Sequence, residues 1–341
     1  MNASRKFRGK RKKSKKKNKG CLFFFFFTHV YIYIMTKVKR VVVEKIILDT
    51  KMEKLGNTFV KPSQIKKIIN EDTDVYTKDG KLLLKFRKNK LDKKNLTAFY
   101  DATSAFTNSN KTRNRGSSQG SKNKSIRYNV PIKSAIIGYF DTWTPHHKFV
   151  FKQKGIKTPL SVRETRFSSN YPEKMKHTEP LIKEIDKLYK RLLPEYYKKQ
   201  IKKARQTQFK IANTSFTTIT TNINFKTSIH KDRGDDIDGF GNLAVIQRGE
   251  YSGGETCLPQ YGIGVNVREG DVLFMDVHEW HGNLPIKFKT PTAVRMSIVC
   301  YLRTDIWKKT KDKSKDFKQR HLKTIKRLFG STETKKTRKK Y

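Results

Sequence analysis

The chain is 341 residues long and carries 77 Lys and Arg against 30 Asp and Glu, a formal net charge of +47. Its 22 Phe, 14 Tyr and 3 Trp exclude a wholly disordered chain, which would lack the apolar groups a core needs. Three cysteines with no C-x-x-C pair exclude a disulfide framework and a zinc finger, and point to an intracellular reducing compartment. The charge calls for a polyanionic partner, nucleic acid or an anionic membrane surface.

Residues 1–36 read as a basic and hydrophobic leader. Its block RGKRKKSKKKNK reads equally as a nuclear-localisation or nucleic-acid arm and as a solvated tail. An apolar run over 21–35 follows, the order found in a signal peptide, but no small-residue cleavage site is present and lysines resume at once. The run is shorter than the ~20 residues of a spanning helix, so no stable membrane partner is expected. The reading adopted is that Met35 is the true start. Residues 37–125 read as an α+β extension, with a strand over 41–48, a polar helix over 62–70, a strand over 81–86 and a helix over 94–105. The Ser-, Asn- and Gly-rich stretch 107–125 ends it as a mobile loop.

The main domain is expected over 126–303. Leu181, Ile182, Ile185, Leu188, Leu192 and Leu193 fall on one stripe and predict a helix from Glu179, stopped by Pro194. A second helix follows over 195–203. The texture then becomes β-rich: FTTITTNINF, NLAVIQ, GETCLPQY, IGVNV, DVLFMDV and AVRMSIVCYLR are short strands of a sandwich or barrel. Cys257 and Cys300 read as buried strand residues. Residues 304–341 read as a basic C-terminal tail with 15 Lys/Arg against 4 Asp/Glu and a short helix around 317–328.

The β-rich part carries His230-Lys231-Asp232, then Gly270-Asp271-Val272-Leu273, then His281-Gly282-Asn283, then Arg295 at the start of a strand. Two His and one carboxylate on one face of an octahedron are the protein ligands of non-haem Fe(II) oxygenases. They leave positions open for a bidentate 2-oxo acid and for O₂. The H-x-D spacing at a strand end turns both side chains to one side, and His281 comes from a facing strand. An Arg on the next strand can clamp a distal carboxylate with two parallel hydrogen bonds. His278 is a rival to His281, which is preferred because it precedes Gly282-Asn283 and stands closer to Arg295. A zinc hydrolase also accepts two His and a carboxylate but gives no reason for Arg295.

On these residues the sequence resembles the TET/JBP family of 2-oxoglutarate- and Fe(II)-dependent DNA dioxygenases, over about 190–303. The segment LPEYYKKQ at 193–200, FTTITTNINFKTSIHKD and RMSIVCY carry the likeness. The resemblance implies a mostly β fold with flanking helices, its core a double-stranded β-helix of the jelly-roll or cupin-like kind. It implies His230, Asp232 and His281 as iron ligands, Arg295 and Ser297 on 2-oxoglutarate, and Tyr301 close to a flipped base. Arg163 in LSVRETRF is the candidate for a second co-substrate contact. Asp235 stands where TET enzymes have an Asn near the base, and Arg303 where they have a His. The Cys-rich region of animal TETs is absent. TET enzymes oxidise 5-methylcytosine and J-binding proteins hydroxylate thymine, so the expected reaction is hydroxylation of a pyrimidine 5-methyl group in DNA. The basic tails would hold phosphates and the target base would be flipped into the pocket. Two alternatives stay open: the same chemistry on a protein or small molecule, and an inactive basic DNA-binding protein. The intact H-x-D, His and Arg speak against the latter.

Overall fold

A computed structural model of the chain describes residues 38–109, 111–112, 132–157 and 159–329. The leader over 1–36, most of the loop over 107–125 and residues 330–341 lie outside them. Among the described residues the larger sheet has ten strands. Its order is Lys39–Val43, Thr73–Thr77, Leu82–Arg87, Val272–Met275, Gly241–Arg248, Val294–Tyr301, Thr218–Ile223, Ile132–Phe140 and Lys111–Thr112, with Arg163–Glu164 also paired to Ile132–Phe140. A smaller sheet runs Gly282–Asn283, Thr256–Leu258, Ile263–Val265 and Lys67–Ile69. A ribbon pairs Tyr251–Gly253 with Ile286–Phe288. Helices flank this body, whose core is a double-stranded β-helix. No helix among the described residues is long and apolar enough to cross a membrane.

Alternation along the strands decides what each face does, because successive side chains point to opposite sides. In Val272–Met275, Val272 and Phe274 join a cluster with Leu181, Ile185 and Tyr189 of the helix Pro172–Leu192. Leu273 and Met275 join another with Leu258, Ile263 and Val265 of the smaller sheet. All four residues are buried, so this strand reads as a continuous apolar run. Truncating Phe274 to Ala should cost about 3–5 kcal/mol, the usual penalty for an emptied aromatic site. Along Val294–Tyr301, Met296, Ile298 and Cys300 face the helices. Arg295, Ser297, Val299 and Tyr301 face the interior between the sheets, where they line a cavity. Cys257 and Cys300 are buried and free.

The structure departs from the sequence reading at three places. Residues 62–70 form a single 3-10 turn, Pro62–Gln64, and then the strand Lys67–Ile69 instead of a helix. Parallel pairing with Ile263–Val265 captures the β-branched Ile68 and Ile69, and tertiary pairing outweighs the weak local preference. Residues 304–329 form the helices Thr304–Thr310 and Lys315–Phe329; the second covers the expected short helix around 317–328, and the first is not foreseen by the sequence. Ile306, Phe317 and Leu322 pack with Tyr139, Val162 and Phe209, and buried His321 donates from Nε2 to the Val162 carbonyl at 2.7 Å. Finally, the strands before residue 125 belong to the same sheets as those after it.

Candidate metal centre and substrate cavity

His230 and His281 are fixed by backbone before any side chain acts. They form an isolated antiparallel bridge, His230 N–H to the His281 carbonyl at 2.8 Å and the reverse bond at 2.9 Å. Asp232 is tied down next to them, its N–H on the Val277 carbonyl at 2.9 Å. The side chains converge: His230 Nε2 lies 3.5 Å from Asp232 Oδ1, and His281 Nε2 lies 3.7 Å from Asp232 Oδ2. One ligand atom from each residue lies within 4.8 Å of the other two.

Both imidazoles are oriented from behind. His230 Nδ1 donates to the Ser228 carbonyl at 2.8 Å and His281 Nδ1 to the Glu279 carbonyl at 2.9 Å. Nδ1–H is thus used on both rings, which leaves each Nε2 facing the centre as the atom free to bind metal once deprotonated. Burial, and then the neighbouring His230, push His281 down to about 4, so its ring is neutral at ordinary pH. Burial alone would raise the Asp232 carboxyl; its hydrogen bond to His230 and the charges of His281 and His230 hold it at about 2. Burial opposes the charged form of His230, but the Asp232 hydrogen bond and charge win and raise it. The set fits a divalent cation of the non-haem iron kind, with two nitrogen ligands and one anionic oxygen. His278 stands apart: its N–H is on Asp276 Oδ1 at 3.0 Å and its Nε2 on the Asp236 carbonyl at 3.3 Å.

The three residues line a cavity of ≈ 460 Å³, large enough for a small acid and a base together. At one end is Arg295, 3 % exposed, its Nε without a hydrogen-bond partner. Its backbone N–H is taken by Asn224 Oδ1 at 2.8 Å. A Cβ at Gly254, where φ is +76°, would stand 3.0 Å from that Nε, so only glycine leaves the guanidinium its place. A buried cation with an unused donor is costly, and an incoming carboxylate would satisfy it. Burial pushes Arg295 down in the absence of such a partner. Ser297 is two residues along on the same cavity face.

The other end is a cluster of charges around Arg303. Its Nε donates to Asp141 Oδ1 at 2.8 Å, and its guanidinium lies 4.6 Å from the Phe140 ring centroid. Asp235 forms an isolated bridge with Arg303, is 9 % exposed, and has Oδ2 unpartnered. Burial, then the Asp232 charge, raise the Asp235 carboxyl well above its ordinary value against the pull of Arg303. Tyr301 shares a hydrogen bond of 2.9 Å with Thr220 Oγ1. Arg163, the candidate for a second co-substrate contact, lines the same cavity as Arg295 but comes from a strand at the Tyr301 side of the sheet. Arg163 pairs with Phe140, two residues beyond Gly138, and Gly138 aligns with Thr218 and hence Tyr301. Tyr301 is six positions from Arg295, about 20 Å along an extended strand. Arg163 donates from Nε to the Thr142 carbonyl at 2.9 Å and lines the Arg303 end of the cavity. Asp141, Phe140 and Asn224 are missing from the sequence reading. Arg303 and Asp141 are 162 residues apart and share no motif.

Residues 149–304 match the family model Tet_JBP, described as the oxygenase domain of the 2OGFeDO superfamily. The chain is 36 % identical over 177 residues to "Bifunctional helicase and thymine dioxygenase JBP2" of Leishmania major, covering 52 % of this chain and 15 % of that protein. It is 34 % identical over 176 residues to "Thymine dioxygenase JBP1" of Trypanosoma brucei brucei, covering 51 % of this chain and 19 % of that protein. The chain therefore spans less than a fifth of the length of these relatives. Among solved structures, NgTET1 in complex with 5mC DNA matches with a TM-score of 0.52 at 15 % identity, over 84 % of this chain and 90 % of that one, a likeness of fold.

Proposed function

Residues 149–304 are an oxygenase domain of the TET/JBP family, and from that premise we propose that the chain is an Fe(II)- and 2-oxoglutarate-dependent dioxygenase. Its substrate is the 5-methyl group of a pyrimidine in DNA, thymine before 5-methylcytosine. The observation that carries the reading is the pairing, in one cavity, of the His230–Asp232–His281 cluster with a buried Arg295 whose Nε is unused. A zinc hydrolase leaves that arginine unexplained. The relatives named as thymine dioxygenases support thymine.

His230 Nε2, an Asp232 oxygen and His281 Nε2 would hold the iron. Bound there with 2-oxoglutarate and O₂, it supplies oxidation of a C–H bond to C–OH, with the co-substrate leaving as succinate and CO₂. Arg295 binds the distal carboxylate and Ser297 adds a hydroxyl beside it. Asp235, Tyr301, Arg303 and Arg163 hold the base at the opposite end, and Phe140 keeps water from one side of it. A base inside a duplex cannot reach this depth, so it enters extruded or from a single strand. An ionised Asp235 carboxyl only accepts hydrogen bonds, and Asp235→Asn would add a donor. Thymine offers N3–H and cytosine its exocyclic amine, so either base satisfies the carboxylate. Asp235 therefore excludes neither base.

The test is succinate release with Fe(II), 2-oxoglutarate and oligonucleotides that differ only in one target base: thymine, 5-methylcytosine or uracil. Thymine should stimulate release above uracil, with 5-hydroxymethyluracil as product. Release that no DNA stimulates would remove DNA as the substrate.

A further inference from the structure

Alternation continues through the metal motif. His230 and Asp232 line the substrate cavity, whereas Lys231 lies on the far side, its Nζ 5.2 Å from the Trp280 ring centroid. Lys231, Arg233 and Trp280 form one wall of a second open cavity of ≈ 500 Å³, and Glu53, Gly56 and Asn57 form the other. Arg233 lines both cavities, so they meet at this residue. The second wall lies outside the family-matched segment 149–304. It is nevertheless bound to the segment that carries His230 and Asp232: Asn57 N–H donates to the Ile229 carbonyl at 2.7 Å, and Ile229 N–H to the Thr58 carbonyl at 2.8 Å. The indole is seated against Gly56, where a Cβ would stand 3.0 Å from Trp280 Cη2. Along the same edge Lys226 Nζ lies 4.0 Å over the Phe59 ring, so lysine on an aromatic face occurs twice.

Cations interleaved with aromatic faces are how proteins hold single-stranded nucleic acid. We propose that the second cavity is the subsite for the nucleotide that adjoins the target in the same strand. Arg233 and Lys231 take its phosphate, and its base stacks on Trp280. The strand passes from one cavity to the other across Arg233, the residue common to both. Lys231 covers the indole in the free protein. An arriving base replaces that cation on the ring and releases the ammonium to the phosphate, so the exchange keeps Lys231 paired. The proposal rests on the reading of DNA as substrate.

The test needs no turnover. In a Trp143→Phe, Trp307→Phe background Trp280 is the remaining tryptophan. A thymidine hexanucleotide should quench its fluorescence as it binds. In the full-length chain, Trp280→Ala and Arg233→Gln should each weaken binding of the hexanucleotide about tenfold, given that stacking on an aromatic contributes about 1–3 kcal/mol per base. Co(II) affinity, read from its absorption bands, reports whether His281, next to Trp280, still holds metal. If Trp280→Ala loses Co(II), Arg233→Gln alone decides. An unquenched Trp280, or unchanged affinity in the deciding variant, while the wild type binds and oxidises DNA, overturns the subsite and leaves the proposed function standing. A wild-type chain that neither binds nor oxidises DNA overturns both.

Discussion

His230 and His281, 51 positions apart, exchange both of their backbone hydrogen bonds, at 2.8 and 2.9 Å. The bridge sets the distance between the two rings, whose centroids are 4.3 Å apart, so backbone pairing fixes the geometry of the candidate metal site. His230→Ala, Asp232→Ala or His281→Ala should each abolish Co(II) binding and succinate release, because each removes one of three protein ligands. His278→Ala should keep both. A dead His278→Ala beside an active His281→Ala would reverse the ligand assignment.

Arg295→Lys keeps the charge and loses the planar fork. Its KM for 2-oxoglutarate should rise at least about tenfold, since a charge-assisted hydrogen bond is worth about 1.5–3 kcal/mol. Co(II) affinity should stay near wild type. An unchanged KM would move the co-substrate clamp away from Arg295.

Metal binding should depend on pH through His230. Its pKa is raised, so without metal it holds its proton to higher pH than an ordinary histidine. Metal must displace that proton, and affinity falls as pH drops through the raised value, about tenfold per pH unit. His281, pushed down to about 4, stays neutral over that range and adds no second proton until near that pH. Co(II) titrations between pH 8 and 5 check this: a slope of one proton per metal is expected, and a slope of two would mean that both rings are protonated.

Asp235 is buried at the base end with one oxygen unpartnered. Asp235→Asn should change the ratio of turnover on thymine to that on 5-methylcytosine about tenfold, as a mismatched polar contact in a desolvated pocket costs about 1–3 kcal/mol. Side-by-side oxidation of two oligonucleotides measures it. A ratio that does not move leaves base choice to Tyr301, Arg303 and Arg163.

The helix Lys315–Phe329 presents exposed Arg320, Lys323, Lys326 and Arg327, while His321 anchors its inner face. Deleting residues 304–341 would therefore uncover core as well as remove charge. Replacing Lys323 and Arg327 by Ala should instead lower the slope of log affinity for DNA against log salt by about two, with base preference unchanged. An unaltered slope would place the phosphate contacts elsewhere.

The H-x-D half of the candidate metal cluster and the strands around it are legible in the sequence because each is local; His281, 51 positions on, is brought in by the fold. H-x-D is three residues, and Val294–Tyr301 announces itself by an apolar residue at every second position, Val294, Met296, Ile298 and Cys300. Residues fixed by partners far along the chain are not. Lys67–Ile69 becomes a strand only beside Ile263–Val265. Arg163 is assigned to its end of the cavity by the register of three strands, which a single sequence does not encode. Asp141 looks like any loop acid until Arg303 is placed 2.8 Å away.

The strand Leu82–Arg87, which precedes the family-matched segment, lies between Thr73–Thr77 and Val272–Met275. The family-matched segment thus leaves out a strand on which the sheet around the candidate site is built. Residues 149–304 produced alone would bare the apolar edge Val-Leu-Phe-Met, an open template for self-association. Changes at Leu83, Leu84 or Phe86 can then cost soluble protein while His230, Asp232, His281 and Arg295 stay untouched.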